Sequence, residues 1–269
     1  MTPPPVLQPR RPLIWPAIVA ALVIGYCVVR TPALFSNTVV SDNNSNAVLA
    51  NGTVVTVHDT HVTVTVNGVT TTSGGNMITG SGKAQTEVRN VTGFTAIEVS
   101  DSAEVEATVG PTTSVTVTTD DNLLAAIETK LDGATLRIQS NQSYSTKLGV
   151  KVTITAPSLV AVKLTGSGSA KIGGLANTKF YADVTGSGSA SLTGTANEVD
   201  LHLVGSGGVN ARSLTAKSAQ VTVTGSGSAS VYATDSLGIT VTGSGSVTYF
   251  GHPTSVAKAV TGSGSIHAQ

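Results

Sequence analysis

The chain has 269 residues, with 15 Lys and Arg balanced by 15 Asp and Glu, so its formal net charge is zero. Charged residues make up 11% of it and aromatic residues 4%, which leaves no basic footprint for nucleic acid and no polybasic membrane patch. The one cysteine, Cys27, allows neither a disulfide framework nor a thiolate metal site.

Residues 1–12 read as a cytoplasmic tail ending in Arg10 and Arg11. Residues 13–29 (LIWPAIVAALVIGYCVV) are 17 uncharged, almost wholly apolar positions. As a helix rising about 1.5 Å per residue they sit at the short end of a membrane span. Positive charge is greater before the segment than after it, where only Arg30 follows, so the remainder is expected to be exported. The sequence RTPALFSN that follows offers no small-x-small cleavage site, and Tyr26 is too large to precede a lipidated Cys27. The expectation is an uncleaved transmembrane signal-anchor helix, single-pass in an inner membrane, with the rest of the chain in the periplasm or outside the cell.

Residues 30–79 read as a polar tether. Asn-rich stretches bracket Val54–His58 and Val62–Val66, and Asn67-Gly68 is a strong hairpin dipeptide. His58 and His61 are the one close histidine pair. On a single strand, positions i and i+3 face opposite sides, so no metal site is expected there.

From Gly80 to Pro157, strand centres fall at Ile97–Val99, Val115–Val117, Leu136–Ile138 and Val152–Ile154. The steps of 18 and 21 residues between the first three match those of the later repeat. The segment is therefore expected to supply early rungs of one stack with irregular corners, in preference to a separate small β-domain. Asp121 to Lys130 (DNLLAAIETK) reads as a short helix or turn. Glu98, Asp101, Glu104 and Glu106 cluster, with Glu104 and Glu106 on one outward face. A solvated acidic face is a commoner reading of that pattern than a calcium or paired-carboxylate site.

Beyond Pro157 a Gly-Ser-Gly core recurs at Gly166/Gly168, Gly186/Gly188, Gly205/Gly207, Gly225/Gly227, Gly243/Gly245 and Gly262/Gly264, in steps of 20, 19, 20, 18 and 19 residues. Before each core two positions align as an inward pair: Val162/Leu164, Ala182/Val184, Leu201/Leu203, Val221/Val223, Ile239/Val241 and Lys258/Val260. The residue between them is polar in five copies of six, ending in Ala259. That alternation marks a strand with one buried face. A second strand follows each core, with Ala170/Ile172, Ala190/Leu192, Val209/Ala211, Ala229/Val231 and Val247/Tyr249 inward. Two short strands and two turns per repeat predict a rung of a parallel β-helix, stacked about 4.8 Å from the next. The glycines are structural corners, where φ > 0 and close approach exclude a Cβ. No Lys-Ser/Thr follows them and no helix opens after them, so a phosphate-binding loop is not expected. The last copy, with Lys258 in an inward place, looks like a terminal rung.

Lys163, Asp183 and His202 are expected to stack outward on consecutive rungs. The other acids after Leu164 are Glu198, Asp200 and Asp235, and no two of them occupy equivalent outward places on adjacent rungs, unlike the grouped acids of a polysaccharide lyase. Thr-x-Thr occurs before the bend only at Thr222/Thr224 and Thr240/Thr242, too few for an ordered threonine array.

The stretch from Gly80 to Gln269 resembles the bacterial family called putative auto-transporter adhesin, head GIN domain. The resemblance rests on GSGKAQTEVRNVTGFTAIEVSDSAEVEATVG, DDNLLAAIETKLDGATLRI, the LTGSGSA copies and the closing GSGSVTYFGHPTSVAKAVTGSGSI. It implies a right-handed parallel β-helix on an envelope protein and carries no catalytic residues. No amphipathic ten-residue strands follow the solenoid, so a translocating barrel of its own is not expected. The fold expected is all-β: a single-stranded parallel β-helix over 80–269 with rungs of about 18–21 residues, preceded by one transmembrane helix. The function expected is a non-enzymatic, membrane-anchored adhesin or envelope scaffold with no catalytic, cofactor or metal residues. Its partners would be the membrane and an envelope polymer or protein, not nucleic acid. The alternative is a glycan-binding or carbohydrate-active β-helix with its site on the rungs between 80 and 157.

Overall fold

The computed structural model describes residues 77–269 in full and, within residues 1–76, the backbone of the strands. These two stretches are separate compact units.

In the first unit Val19–Val23, Tyr26–Arg30 and Val39–Val40 form a three-stranded antiparallel sheet, with Val23 paired to Tyr26. Where a helix was expected over 13–29, Val19–Val23 and Tyr26–Arg30 are thus paired strands, and residues 13–18 and 24–25 lie outside the described residues. Val, Ile and Tyr are β-formers, and a glycine, Gly25, stands between the two strands. Among the described residues no helix is long and apolar enough to cross a membrane. Residues 1–12 lie outside the described residues. Further on, Asn44–Val48, Val54–His58, His61–Val66 and Val69–Ser73 make a four-stranded antiparallel meander, where the sequence suggested one hairpin. Val66 pairs with Val69 across Asn67-Gly68. His58 and His61 are register partners on neighbouring strands, not two positions of one strand.

The second unit is an all-β solenoid of about five turns. Ala161–Gly166, Ser169–Gly186, Ser189–Gly205, Gly208–Gly225 and Ser228–Gly243 follow one another in parallel register, so that Gly166, Gly186, Gly205, Gly225, Gly243 and Gly262 form one column. The two short strands expected per rung merge into one bent strand of 16 to 18 residues. The second bend is made inside that strand, where the register shifts between Ile172 and Leu175, Ser191 and Thr193, and Ala211 and Thr215. Beyond the shift a third wall buries Leu175, Ala196, Leu214 and Ala216.

The interior is a column of aliphatic side chains. All inward pairs from Val162/Leu164 to Ile239/Val241 are buried, as are those after the corner from Ala170/Ile172 to Val247/Tyr249. Each Val, Leu or Ile removed from water contributes roughly 1.5–3 kcal/mol. Thr119 and Asp120 are the buried polar residues among those described.

The early strands join the same 15-stranded sheet, but not in sequence order. Ala96–Val99 lies between Thr135–Ser140 and Ala161–Gly166, parallel to both. Glu104–Val109 likewise lies between Lys151–Ala156 and Ser169–Gly186. The 96–109 turn is thus flanked by 135–156 on one side and 161–173 on the other. Ser114–Asp120, expected as a rung, runs antiparallel to Lys151–Ala156, and Ile127–Asp132 runs antiparallel to Thr135–Ser140. The 18- and 21-residue steps were coincidences of strand spacing, because inward alternation fixes a strand's face and leaves its neighbour open. Asp121–Leu123 is a 3-10 turn, and Leu123, Leu124 and Ile127 close this end of the core. Ala84–Val88 adds an exposed edge strand to Ser114–Asp120.

At the other end Ser255–Gly262 is exposed along its whole length. Val256 and Val260 are uncovered, and Lys258 folds over the last inward ring, with Nζ 4.6 Å from the Tyr249 centroid.

Candidate functional site

At the corner glycines the Cβ direction points at the neighbouring turn. A Cβ on Gly186, Gly205, Gly225, Gly243 or Gly262 would lie 2.4 to 2.6 Å from the carbonyl oxygen of the corner before it, and each of these residues has φ between +112° and +115°. Gly166 has the same conformation, φ +112°, with Asp101 O 3.8 Å away. The second glycines are as tight: a Cβ on Gly168 would lie 2.5 Å from Asp101 O, on Gly188 2.6 Å from Gly168 O, and on Gly207 2.3 Å from Gly188 O. On Gly227, Gly245 and Gly264 it would meet Leu203, Val223 and Val241 at 2.6 Å. The corner amides point along the stack. Gly166 O accepts from Ser187 N and Gly188 N at 2.9 and 3.0 Å, and Gly186 and Gly205 repeat the arrangement. Their N–H groups are consumed by the preceding rung and do not cradle an anion.

The outward face before the corner carries one continuous column of register partners: Arg137, Glu98, Lys163, Asp183, His202, Thr222, Thr240 and Ala259. Lys163, Asp183 and His202 do stand on consecutive turns, yet Lys163 pairs with Glu98 at 3.3 Å, and Arg137 takes the other oxygen of Glu98 at 3.2 Å. Asp183 instead accepts from the Tyr181 hydroxyl and the Thr185 hydroxyl, both at 3.1 Å. Beside them Ala161, Tyr181, Asp200, Gln220, Gly238 and Ala257 form a second column. The Tyr181 and His202 rings are 5.5 Å apart, and His202 Nε2 is 3.2 Å from Asp200 Oδ1. Burial and the Asp183 carboxylate push the Tyr181 phenol above its ordinary pKa, which keeps it a donor.

On the wall after the corner Glu106 stands between Lys151 at 3.2 Å and Lys171 at 3.6 Å. The Lys151 hydrogen bond and charge, then Lys171, hold its carboxyl below the usual range. Glu104 and Glu106 share an outward face as the alternation indicated, but the cationic neighbours make it mixed in charge, not acidic. Glu98 and Glu106 are thus committed to ion pairs, and Asp101 accepts from the Tyr144 hydroxyl at 3.1 Å. Further along the same wall the partners become Ser191, Asn210, Ser230 and Thr248. Both walls pass from charged on the early turns to small and hydroxylic on the late ones.

Because small side chains follow large ones, hollows open on the surface. One of about 310 Å³ is lined by Glu198, Asp200, Gln220, Ser236 and Gly238. A second of about 610 Å³ is lined by Val160, Ala161, Ala176 and Tyr181. A third of about 370 Å³ lies over the serines after the corner. Among the described residues no three His, Cys, Asp or Glu side chains converge as metal ligands. Sequence reasoning missed Gln220 as a surface feature; Tyr181 is one of the few aromatics it offers for stacking on a glycan, with its direction left open. The signal for that direction was present: Tyr181 precedes outward Asp183 by two positions, so the alternation that buries Ala182 and Val184 turns it out.

Residues 93–253 match the family described as putative auto-transporter adhesin, head GIN domain. Among solved structures the chain is similar to a putative adhesin from Bacteroides fragilis, with 26% identity and a TM-score of 0.60 over 71% of this chain and 100% of the other. A putative adhesin from Parabacteroides distasonis shares the fold at 19% identity and a TM-score of 0.52, over 72% and 100% of the two chains. A putative lipid binding protein from the same species aligns at 25% identity with a TM-score of 0.45, over 72% and 100%. No curated protein matches the chain.

Proposed function

The chain belongs to the putative auto-transporter adhesin, head GIN domain family, and from that premise we propose that it is a non-enzymatic adhesion or scaffold module of a bacterial envelope. The observation that carries this reading is the construction of the solenoid. Its interior is filled by aliphatic side chains, and its functional groups lie on long, regular outer walls, which suits contact with an extended partner better than turnover of a small one. The carboxylates that a site on the early turns would need, Glu98 and Glu106, are neutralised by Arg137, Lys163, Lys151 and Lys171. That weighs against carbohydrate chemistry between 80 and 157.

The apolar run 13–29, with Arg10 and Arg11 before it, supports retention at the inner membrane with the solenoid outside the cytoplasm. The balanced charge supports a partner other than nucleic acid. The test is fractionation of cells producing the full chain, with and without residues 13–29, together with retention of isolated envelopes on the purified protein. The full chain is expected in the membrane fraction, accessible to external protease after outer-membrane permeabilisation, and immobilised protein is expected to hold envelopes without releasing soluble sugars. Recovery in the cytoplasm, or saccharide release, would overturn the reading.

A further inference from the structure

Two of the hollows lie along the same edge of the solenoid, on either side of Lys179, which lines both. The Lys179 ammonium is 3.6 Å from Glu198. The column that borders them, from Ala161 through Tyr181, Asp200, Gln220 and Gly238 to Ala257, crosses six strands and so five strand spacings. At a strand spacing of about 4.8 Å the edge is therefore about 24 Å long. Both hollows are open to solvent and shallow, a shape for a narrow chain lying lengthwise and not for a compact ligand.

Their chemistry narrows the choice. Asp200, Glu198 and Gln220 accept hydrogen bonds from hydroxyls, and the Gln220 amide and Ser236 also donate them. Asp200 Oδ1 is shielded from solvent and has no aligned donor, although His202 Nε2 is near it; turning it toward a ligand hydroxyl breaks no hydrogen bond. Tyr181 offers a half-buried ring whose hydroxyl is tied to Asp183, so the ring is held as a plate for stacking. Glu198 and Asp200 outnumber Lys179 along this edge, which repels an anionic polymer. The hollow over the serines has no aromatic ring in its lining.

We propose that this edge binds a neutral, hydroxyl-rich polysaccharide laid along the solenoid axis, with Tyr181 stacked on a sugar face and Glu198, Asp200 and Gln220 bonded to its hydroxyls. The proposal rests on the adhesion reading above and gives it a ligand class. Affinity electrophoresis of the full chain in gels of soluble β-glucan, glucomannan or dextran tests it, with alginate and hyaluronate as the acidic set. Retardation is expected in at least one neutral gel and in neither acidic gel. Tyr181→Ala, and Ser236→Trp, which fills the smaller hollow, should each weaken binding about tenfold. Tyr181→Phe should retain most of it, and Ser230→Trp on the opposite wall should change nothing, with thermal unfolding confirming that each variant folds. No retardation by any neutral polymer, retardation by acidic ones alone, or wild-type binding by both Tyr181→Ala and Ser236→Trp overturns the proposal. Envelope retention by the same proteins separates the two readings. Wild-type retention that survives both variants removes this site and leaves adhesion, whereas its absence in the wild type removes adhesion itself.

Discussion

Replacing Gly205 with alanine tests the packing of the corners. A Cβ there would sit 2.4 Å from Gly186 O and 3.1 Å from Gly186 C, at a φ of +115°. The backbone conformation alone costs a non-glycine residue about 1–3 kcal/mol. The clash is with backbone, so the turns must part, which strains the bonds from Ser206 N and Gly207 N to Gly186 O at 2.9 and 3.0 Å. Each is worth about 0.5–1.5 kcal/mol, bringing the expected loss to about 2–6 kcal/mol. For a unit of this size that lowers Tm by about 4–24 °C. Two controls divide the effect. Gly133 has φ +59° with nothing within 4 Å of its Cβ position, so Gly133→Ala reports conformation alone, about 1–2 kcal/mol. Gly208 has no positive φ, and its nearest neighbour, Ser228 O, is 3.7 Å from the added Cβ; Gly208→Ser should stabilise by about 0.4–1 kcal/mol. Urea and thermal unfolding followed by far-ultraviolet circular dichroism provide the comparison. A Gly205→Ala loss no larger than that of Gly133→Ala would refute the claim that stacked backbone, and not φ alone, requires glycine here.

The remaining expectations concern the ends and the outer walls. The Thr146 hydroxyl and the Gly82 amide, each 2.5 Å from the buried Asp120 carboxylate, hold its pKa below the usual 3.8. Its contribution is therefore complete above that value and lost as pH falls through the lower folded one. The protection of the Gly82 amide against hydrogen exchange should fall on strong acidification, and Asp120→Asn should abolish that step; an unchanged step would contradict the assignment. Lys258→Val should remove the charge from the last inward ring and produce concentration-dependent association by light scattering, while a monomer at all concentrations would show that Lys258 does not guard this edge. Glu98→Gln leaves Arg137 and Lys163 facing each other without their shared carboxylate. It should cost about 0.5–1 kcal/mol, diminishing in high salt; a loss independent of salt would point to packing instead.

The interior was legible because alternation is local: Val162, Leu164 and their counterparts needed only their own neighbours to be assigned inward. The stacking order was not. Ile97 pairs with Leu136 and Val162, and nothing in four residues of alternating character names a partner so distant. Where Gly-Ser-Gly punctuates the chain, identical corners impose the order; where corners are irregular, pairing is decided by the whole assembly. Hydropathy similarly measured how apolar residues 13–29 are without deciding their secondary structure, and β-formers such as Val28 and Val29 lie in a strand. The outer face fell between these cases. Its register follows from the repeat, but the Glu98 bridge to Arg137 and Lys163 depends on the out-of-order turn.

That displaced turn also sets a schedule for assembly. When residues 96–109 leave a ribosome or a translocation pore they have no template on either flank, since both belong to chain that follows. They wait for 135–156 and then for 161–173, which makes closure of this block a long-loop event and the slow step. Every later coil finds its platform already built and is laid down like a course of bricks. A chain halted after Pro157 would leave one flank of 96–109 bare and prone to capture by other strands, whereas one halted after Gly225 would lose only courses from the top.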